Sequence, residues 1–147
     1  MSDIFSAENL SLLQKHGITH ILTVCSGMSP RYPEKFTYLQ MDAEDRDDYD
    51  LKPKFKEAIK FVDQALENGG TVLIHCAAGI SRSGCMTCAY LMWKNRWTFE
   101  QAWEFGRSKR EQMYPNFGFQ KQLKAFEREL LGYEDKELKK ELEKQMK

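Results

Sequence analysis

Hydrophobic and polar positions change period several times along the 147-residue chain, and each change marks an element. Ser6 can cap a helix over residues 7–16, with Ala7, Leu10 and Leu13 on one face and Gly17 at its end. Ile18 to Val24 is rich in β-branched residues and predicts a buried strand; Phe36 to Met41, where aromatic and apolar residues alternate with polar ones, predicts a second. Between them, residues 26–35 (SGMSPRYPEK) carry two prolines and a glycine and read as a loop. Residues 42–50 (DAEDRDDYD) hold six acidic side chains in nine positions and predict an exposed loop. Asp50 caps the next helix, Pro53 fits its first turn, and Phe55, Ile59, Val62 and Leu66 recur at helical spacing along its buried face. Asn68-Gly69-Gly70 stops it. Thr71 to Ile74 is a short apolar strand, and after a run of small residues Cys85 to Trp93 is nearly free of polar side chains, which predicts a central buried helix reaching Asn95. Thr98 with Gln101 forms a capping box for a helix over 99–111, and Tyr114-Pro115 breaks it. Asn116 caps a last helix with Phe119, Leu123, Phe126 and Leu130 on its inner face and Gly132 as its stop. Helices alternating with strands predict an α/β fold, a mainly parallel central sheet flanked by helices on both faces.

Composition narrows the picture. A chain of this length with 41% apolar residues fills one core, so residues 1–132 read as one domain and 133–147 as a charged tail. In the tail Leu138, Leu142 and Met146 stand at i, i+4 and i+8, as in a solvated helix or, alternatively, one that binds a partner. Twenty-two basic residues balance 22 acidic ones, so bulk charge gives no sign of a nucleic-acid or membrane surface. No signal peptide, lipidation motif or apolar run of about 18 residues is visible. The expectation is a monomer in the reducing cytoplasm, with the nucleus as the alternative. Cys25, Cys85 and Cys88 read as small buried hydrophobes, and the lone C-x2-C of Cys85 and Cys88 inside an apolar helix is no zinc site.

The chemistry concentrates in residues 75–84, HCAAGISRSG. A strand enters, small residues turn the chain, and a helix leaves, so backbone N–H groups of the turn and the first helical turn converge on one concavity with the positive end of the helix dipole behind it. Cys76 opens this anion site, where the same N–H groups favour its thiolate. Arg82 closes it with a planar fork that matches two oxygens of a tetrahedral phosphate. A nucleophile and a phosphate cradle therefore share one loop.

Cys-x5-Arg preceded by His75 and followed by Ser83, with Gly79 between, resembles the signature of cysteine-dependent protein tyrosine phosphatases, and AGISRS after HC is most similar to the dual-specificity branch. The likeness spans about Leu10 to Leu131, through GITHIL, YLQMDAED and PNFGF. It departs at the start, where members carry a further strand before the first helix and only Ser2 to Phe5 stand here. The resemblance implies a phosphatase fold with a shortened N-terminus and metal-independent hydrolysis of phosphotyrosine and phosphoserine or phosphothreonine in a phosphoprotein substrate, with no cofactor. By that likeness Cys76 is the nucleophile, and the amides of Ala77, Ala78, Gly79, Ile80 and Ser81 hold phosphate together with Arg82. His75 supports the loop by hydrogen bonding, and Ser83 donates to the departing sulfur. The proton for the leaving oxygen must come from Asp42, Glu44, Asp45, Asp47, Asp48 or Asp50, and the family's strand-loop-helix pattern points to Asp45. The neutral Ala77, Ala78 and Ile80 favour phosphoprotein over the alternatives, an inositol lipid or RNA 5'-phosphate. A phosphate-recognition module with little turnover is a further alternative, set against by the presence of Cys76.

Overall fold

The computed structural model describes residues 1–131 and Lys144; the tail expected over 133–147 and the stop at Gly132 lie outside the described residues. Two short helices, α1 (Ile4–Ala7) and α2 (Leu10–Lys15), precede β1 (His20–Val24) and β2 (Thr37–Met41). Then come α3 (Phe55–Glu67), β3 (Val72–His75), α4 (Arg82–Asn95), α5 (Phe99–Lys109) and α6 (Phe117–Leu130). The three strands are parallel in the order β2-β1-β3. Among the described residues a single bridge, from Ser2 to His75, pairs with the outer edge of β3, and it stands where the longer N-terminal strand was expected to be missing.

Alternation along the strands splits the core in two. Leu22, Val24, Met41 and Ile74 face α3 to α6, while Ile21 and Leu73 face Ala7, Leu13 and Phe36. Helices thus cover both faces of the sheet. α4 lies at the centre, against β1, β3, α3, α5 and α6, with Met86, Ala89 and Met92 buried. The Thr98–Gln101 capping box forms as expected, as does the Asn116 cap, whose side chain accepts from the Phe119 N–H at 2.9 Å. Phe119, Leu123 and Phe126 are buried on α6, and Leu130 is partly covered.

Three local expectations need correction. The single helix over 7–16 capped by Ser6 is two helices, because Asp3 caps an earlier start and Asn9 a second one inside the expected span. Asp3 accepts from the Ser6 N–H at 2.8 Å, and Asn9, itself extended, accepts from the Leu12 N–H at 3.1 Å. Asp50 caps nothing: a 3-10 turn over Lys52–Lys54 leads into α3. Its free N–H groups, those of Leu51 and Lys52, both donate to Gln122 Oε1 on α6 at 2.8 Å. Leu66 is 42% exposed, and Ala58 and Ala65 complete the buried face of α3 in its place.

Candidate active site

β3 ends at His75, the chain turns through residues 76–81, and α4 begins at Arg82. The turn is held from outside. Ala77 O accepts from the Ile4 N–H at 3.0 Å, Gly79 O from Arg110 Nε at 2.9 Å, and Ile80 O from the Tyr114 N–H at 2.9 Å. In a trans peptide the N–H points opposite to the preceding C=O, so fixing these carbonyls outward turns the N–H groups of Ala78, Ile80 and Ser81 to the inner side. No backbone N–H from Ala77 to Ser81 has a protein acceptor among the described residues. Gly79 sits at φ +72°, and a Cβ there would come within 2.7 Å of backbone atoms of Ser2 and Asp3. Both the left-handed backbone and the close N-terminal strap require glycine at this position.

Cys76 is buried at the mouth of α4, its Sγ 3.2 Å from the Oγ of the fully buried Ser83. Arg82 is anchored through one nitrogen: Nη1 donates to Ala43 O at 3.0 Å and to Cys25 Sγ at 3.2 Å. Its Nε is buried with no partner among the described residues. A buried guanidinium N–H left unpaired is costly, and here it belongs to the residue that closes a ring of unpaired amides. Unpaired N–H donors grouped on one turn are chemically suited to an oxyanion.

His75 lies on the other side of the loop, its Nε2 2.8 Å from Thr23 Oγ1 and its Nδ1 3.4 Å from Cys76 O. Burial lowers its pKa below the ordinary histidine value, so the neutral ring ties β1 to the start of the loop. Burial also pushes the Cys88 thiol up to about 12 and Cys85 well above the usual thiol range. These two cysteines are core.

The acidic stretch is fastened to the same place. Asp45 Oδ1 accepts from Asn116 Nδ2 at 2.9 Å, and the Asn116 N–H donates to Ser81 Oγ at 2.8 Å. One residue thereby links the acid to the anion loop while its Oδ1 caps α6. Asp47 Oδ1 accepts from the Gly118 N–H at 3.4 Å, and a Cβ on Gly118 would fall 1.8 Å from Asp47 O. Glu44 and Asp48 pair with Arg46 in solvent, and Asp42 contributes its carbonyl to the Tyr49 hydroxyl at 2.8 Å. Among the six acids, Asp45 is therefore the one joined through Asn116 to the loop.

The structure sets Cys76 against Ser83, starts α4 with Arg82 directly after the unpaired 77–81 amides, joins Asp45 to Ser81 of the loop through Asn116, and ties His75 to Thr23 on β1. Sequence reasoning missed Asn116 as more than a cap, Arg110 as a clamp on Gly79, and Cys25 as a contact of Arg82. Only Asn116 had a local signal, its place in the PNFGF segment.

The family model described as dual specificity phosphatase, catalytic domain, matches residues 4–129. Dual specificity protein phosphatase 1B of Arabidopsis thaliana is 42% identical over 132 residues, covering 90% of this chain and 79% of the relative. MAP kinase phosphatase with leucine-rich repeats protein 2 of Dictyostelium discoideum is 45% identical over 124 residues, which cover 84% of this chain and 18% of that protein. The crystal structure of DUSP15 superposes with a TM-score of 0.81 at 30% identity, covering 88% of each chain.

Proposed function

The chain belongs to the dual specificity phosphatase family, and from that membership we infer how its residues divide the work. The reaction is hydrolysis of phosphotyrosine and of phosphoserine or phosphothreonine in proteins. Cys76 Sγ attacks phosphorus in line with the leaving oxygen, forming the S–P bond as the P–O bond breaks. The Asp45 carboxyl gives its proton to that oxygen, so the product leaves as a neutral hydroxyl. The amides of Ala77 to Ser81 and the Arg82 guanidinium hold the equatorial oxygens, whose charge grows in the transition state. Water then attacks the cysteinyl-phosphate, Asp45 takes its proton, and Ser83 Oγ donates to the departing sulfur. Side chains and backbone amides fill every role.

The observation that carries this reading is one turn, residues 76–82, that holds a thiol 3.2 Å from a buried hydroxyl, backbone amides without a protein acceptor among the described residues, and a buried Arg82 Nε likewise unpaired. The neutral side chains of Ala77, Ala78 and Ile80 support a phosphoprotein substrate over an inositol lipid, because none of these three loop positions carries a cation. We assign residues 1–132 to the catalytic domain and 133–147 to a charged tail. We place the enzyme in the cytoplasm or nucleus as a monomer without nucleic-acid or membrane partners, in keeping with its balanced charge and with the reduced state Cys76 needs. No helix among the described residues is long and apolar enough to cross a membrane. Cys76→Ser tests the assignment: turnover of a small aryl phosphate, with and without chelator, should vanish while phosphate binding persists. Activity above about a hundredth of the parent would overturn it.

A further inference from the structure

Apolar side chains that the reaction itself does not use are exposed on the phosphate loop and on the segment bonded to it. Ile80, Tyr114 and Phe117 are 37%, 50% and 62% exposed. Each is fixed to the loop: Ile80 is part of it, the Tyr114 N–H donates to Ile80 O at 2.9 Å, and Phe117 follows Asn116, whose N–H donates to Ser81 Oγ at 2.8 Å. The rings are also held. Tyr114 stands edge-on to Trp103 at 5.0 Å between centroids, with the Arg107 guanidinium 6.0 Å from its ring centre. Lys121 Nζ lies 4.7 Å from the centre of the Phe117 ring. Apolar side chains kept in water by a rigid frame around a reactive centre are a binding surface.

We propose that Ile80, Tyr114 and Phe117 form a specificity rim that receives an aromatic or aliphatic side chain next to the phosphorylated residue of the substrate. The occupant follows from continuity with the site. A phosphoresidue seated against Cys76 keeps its neighbours close to the loop that carries Ile80, since an extended chain advances only about 3.5 Å per residue. The proposal rests on the phosphatase reading above and adds a substrate preference to it.

Two phosphotyrosine peptides that differ only in the flanking residues, leucine or phenylalanine in one and serine in the other, test it, with an aspartate-flanked peptide as a third. The wild-type enzyme should favour the apolar peptide in kcat/KM by about tenfold over the serine peptide. In Phe117→Ser and Tyr114→Ser the ratio should fall toward one. Phe117 is exposed at the first turn of α6, so its replacement leaves the core untouched. Turnover of all three peptides with no apolar preference would overturn the rim and leave the phosphatase reading standing. A preference for the aspartate peptide would also overturn it, assigning the selection to Lys121 and Arg107. Failure of the wild-type enzyme to turn over any peptide or a small aryl phosphate would overturn both.

Discussion

Asn116 does two separable jobs, and separating them is the sharpest test of how the acid is held. Its Oδ1 caps α6 and its Nδ2 donates to Asp45. Asn116→Ala removes both. Loss of the cap should cost about 1 kcal/mol of stability, a fall in Tm of about 3–5 °C for a domain of this size. The bond to Asp45 is a hydrogen bond to a charged group, worth roughly 1.5–3 kcal/mol where buried. Asp45 is exposed, so about 1 kcal/mol is the fair figure, which corresponds to a roughly fivefold loss in kcat. That loss should appear only where the leaving oxygen needs a proton. The assay is a series of aryl phosphates with graded leaving groups: kcat should drop for the poor ones, stay level for the best, and make the dependence on leaving group steeper. Asn116→Asp keeps a capping oxygen and removes the donor, so it should restore Tm without restoring kcat on poor leaving groups. If both variants keep the wild-type dependence on leaving group, the contact with Asp45 does not position the acid, and the reasoning fails.

Three further outcomes are expected. Asp45→Asn should lower kcat by about 10²–10⁴ and flatten the alkaline limb of the pH–rate profile; that pattern in Asp47→Asn or Asp42→Asn, with Asp45→Asn near wild type, would reassign the acid. Gly118→Ala places a Cβ against the backbone of Asp47, an overpacking worth about 1–3 kcal/mol, and because that backbone leads to Asp45, kcat on poor leaving groups should fall with stability; unchanged kinetics and Tm would show the contact to be slack. An unfolded imidazole takes up its proton near pH 6.5 and buried His75 only at lower pH, so the unfolded state binds the extra proton first and stability is lost as the pH falls below about 6.5. Urea unfolding at descending pH should show a slope of up to about 1.4 kcal/mol per pH unit that His75→Asn lacks.

The features legible in the sequence were those written into contiguous residues. The turn from β3 into α4 needs small residues and a glycine at fixed offsets, so the strand-turn-helix unit could be read from residues 75–84 alone. The face of α6 was legible because it repeats one spacing over several turns, and α4 because the stretch from Cys85 to Trp93 is nearly free of polar side chains. Failures fell where a single long-range bond decided the local structure. Gln122 takes over the capping of residues 51 and 52 from 71 and 70 positions away in the chain, and nothing near Asp50 announces it. Asn116 was legible as a cap because capping is local; its reach of 71 positions to Asp45 has no sequence period. The split of the first helix lay within reach, since Asp3 and Asn9 are both good caps, but Ser6 competed for the same role and tertiary contact between the strap and Gly79 settled the choice.

α4 starts with Arg82 and passes directly into buried Gly84, Cys85, Met86, Cys88, Ala89 and Met92. Its first turn cannot unwind without baring the layer behind it, so the anion loop has no private route to disorder. In a cell, catalysis and quality control consequently inspect the same structural state. A copy that has lost its phosphate cradle has also uncovered the apolar surface by which chaperones and proteases select their clients. A population of such molecules divides into working enzyme and material for disposal, with little standing between.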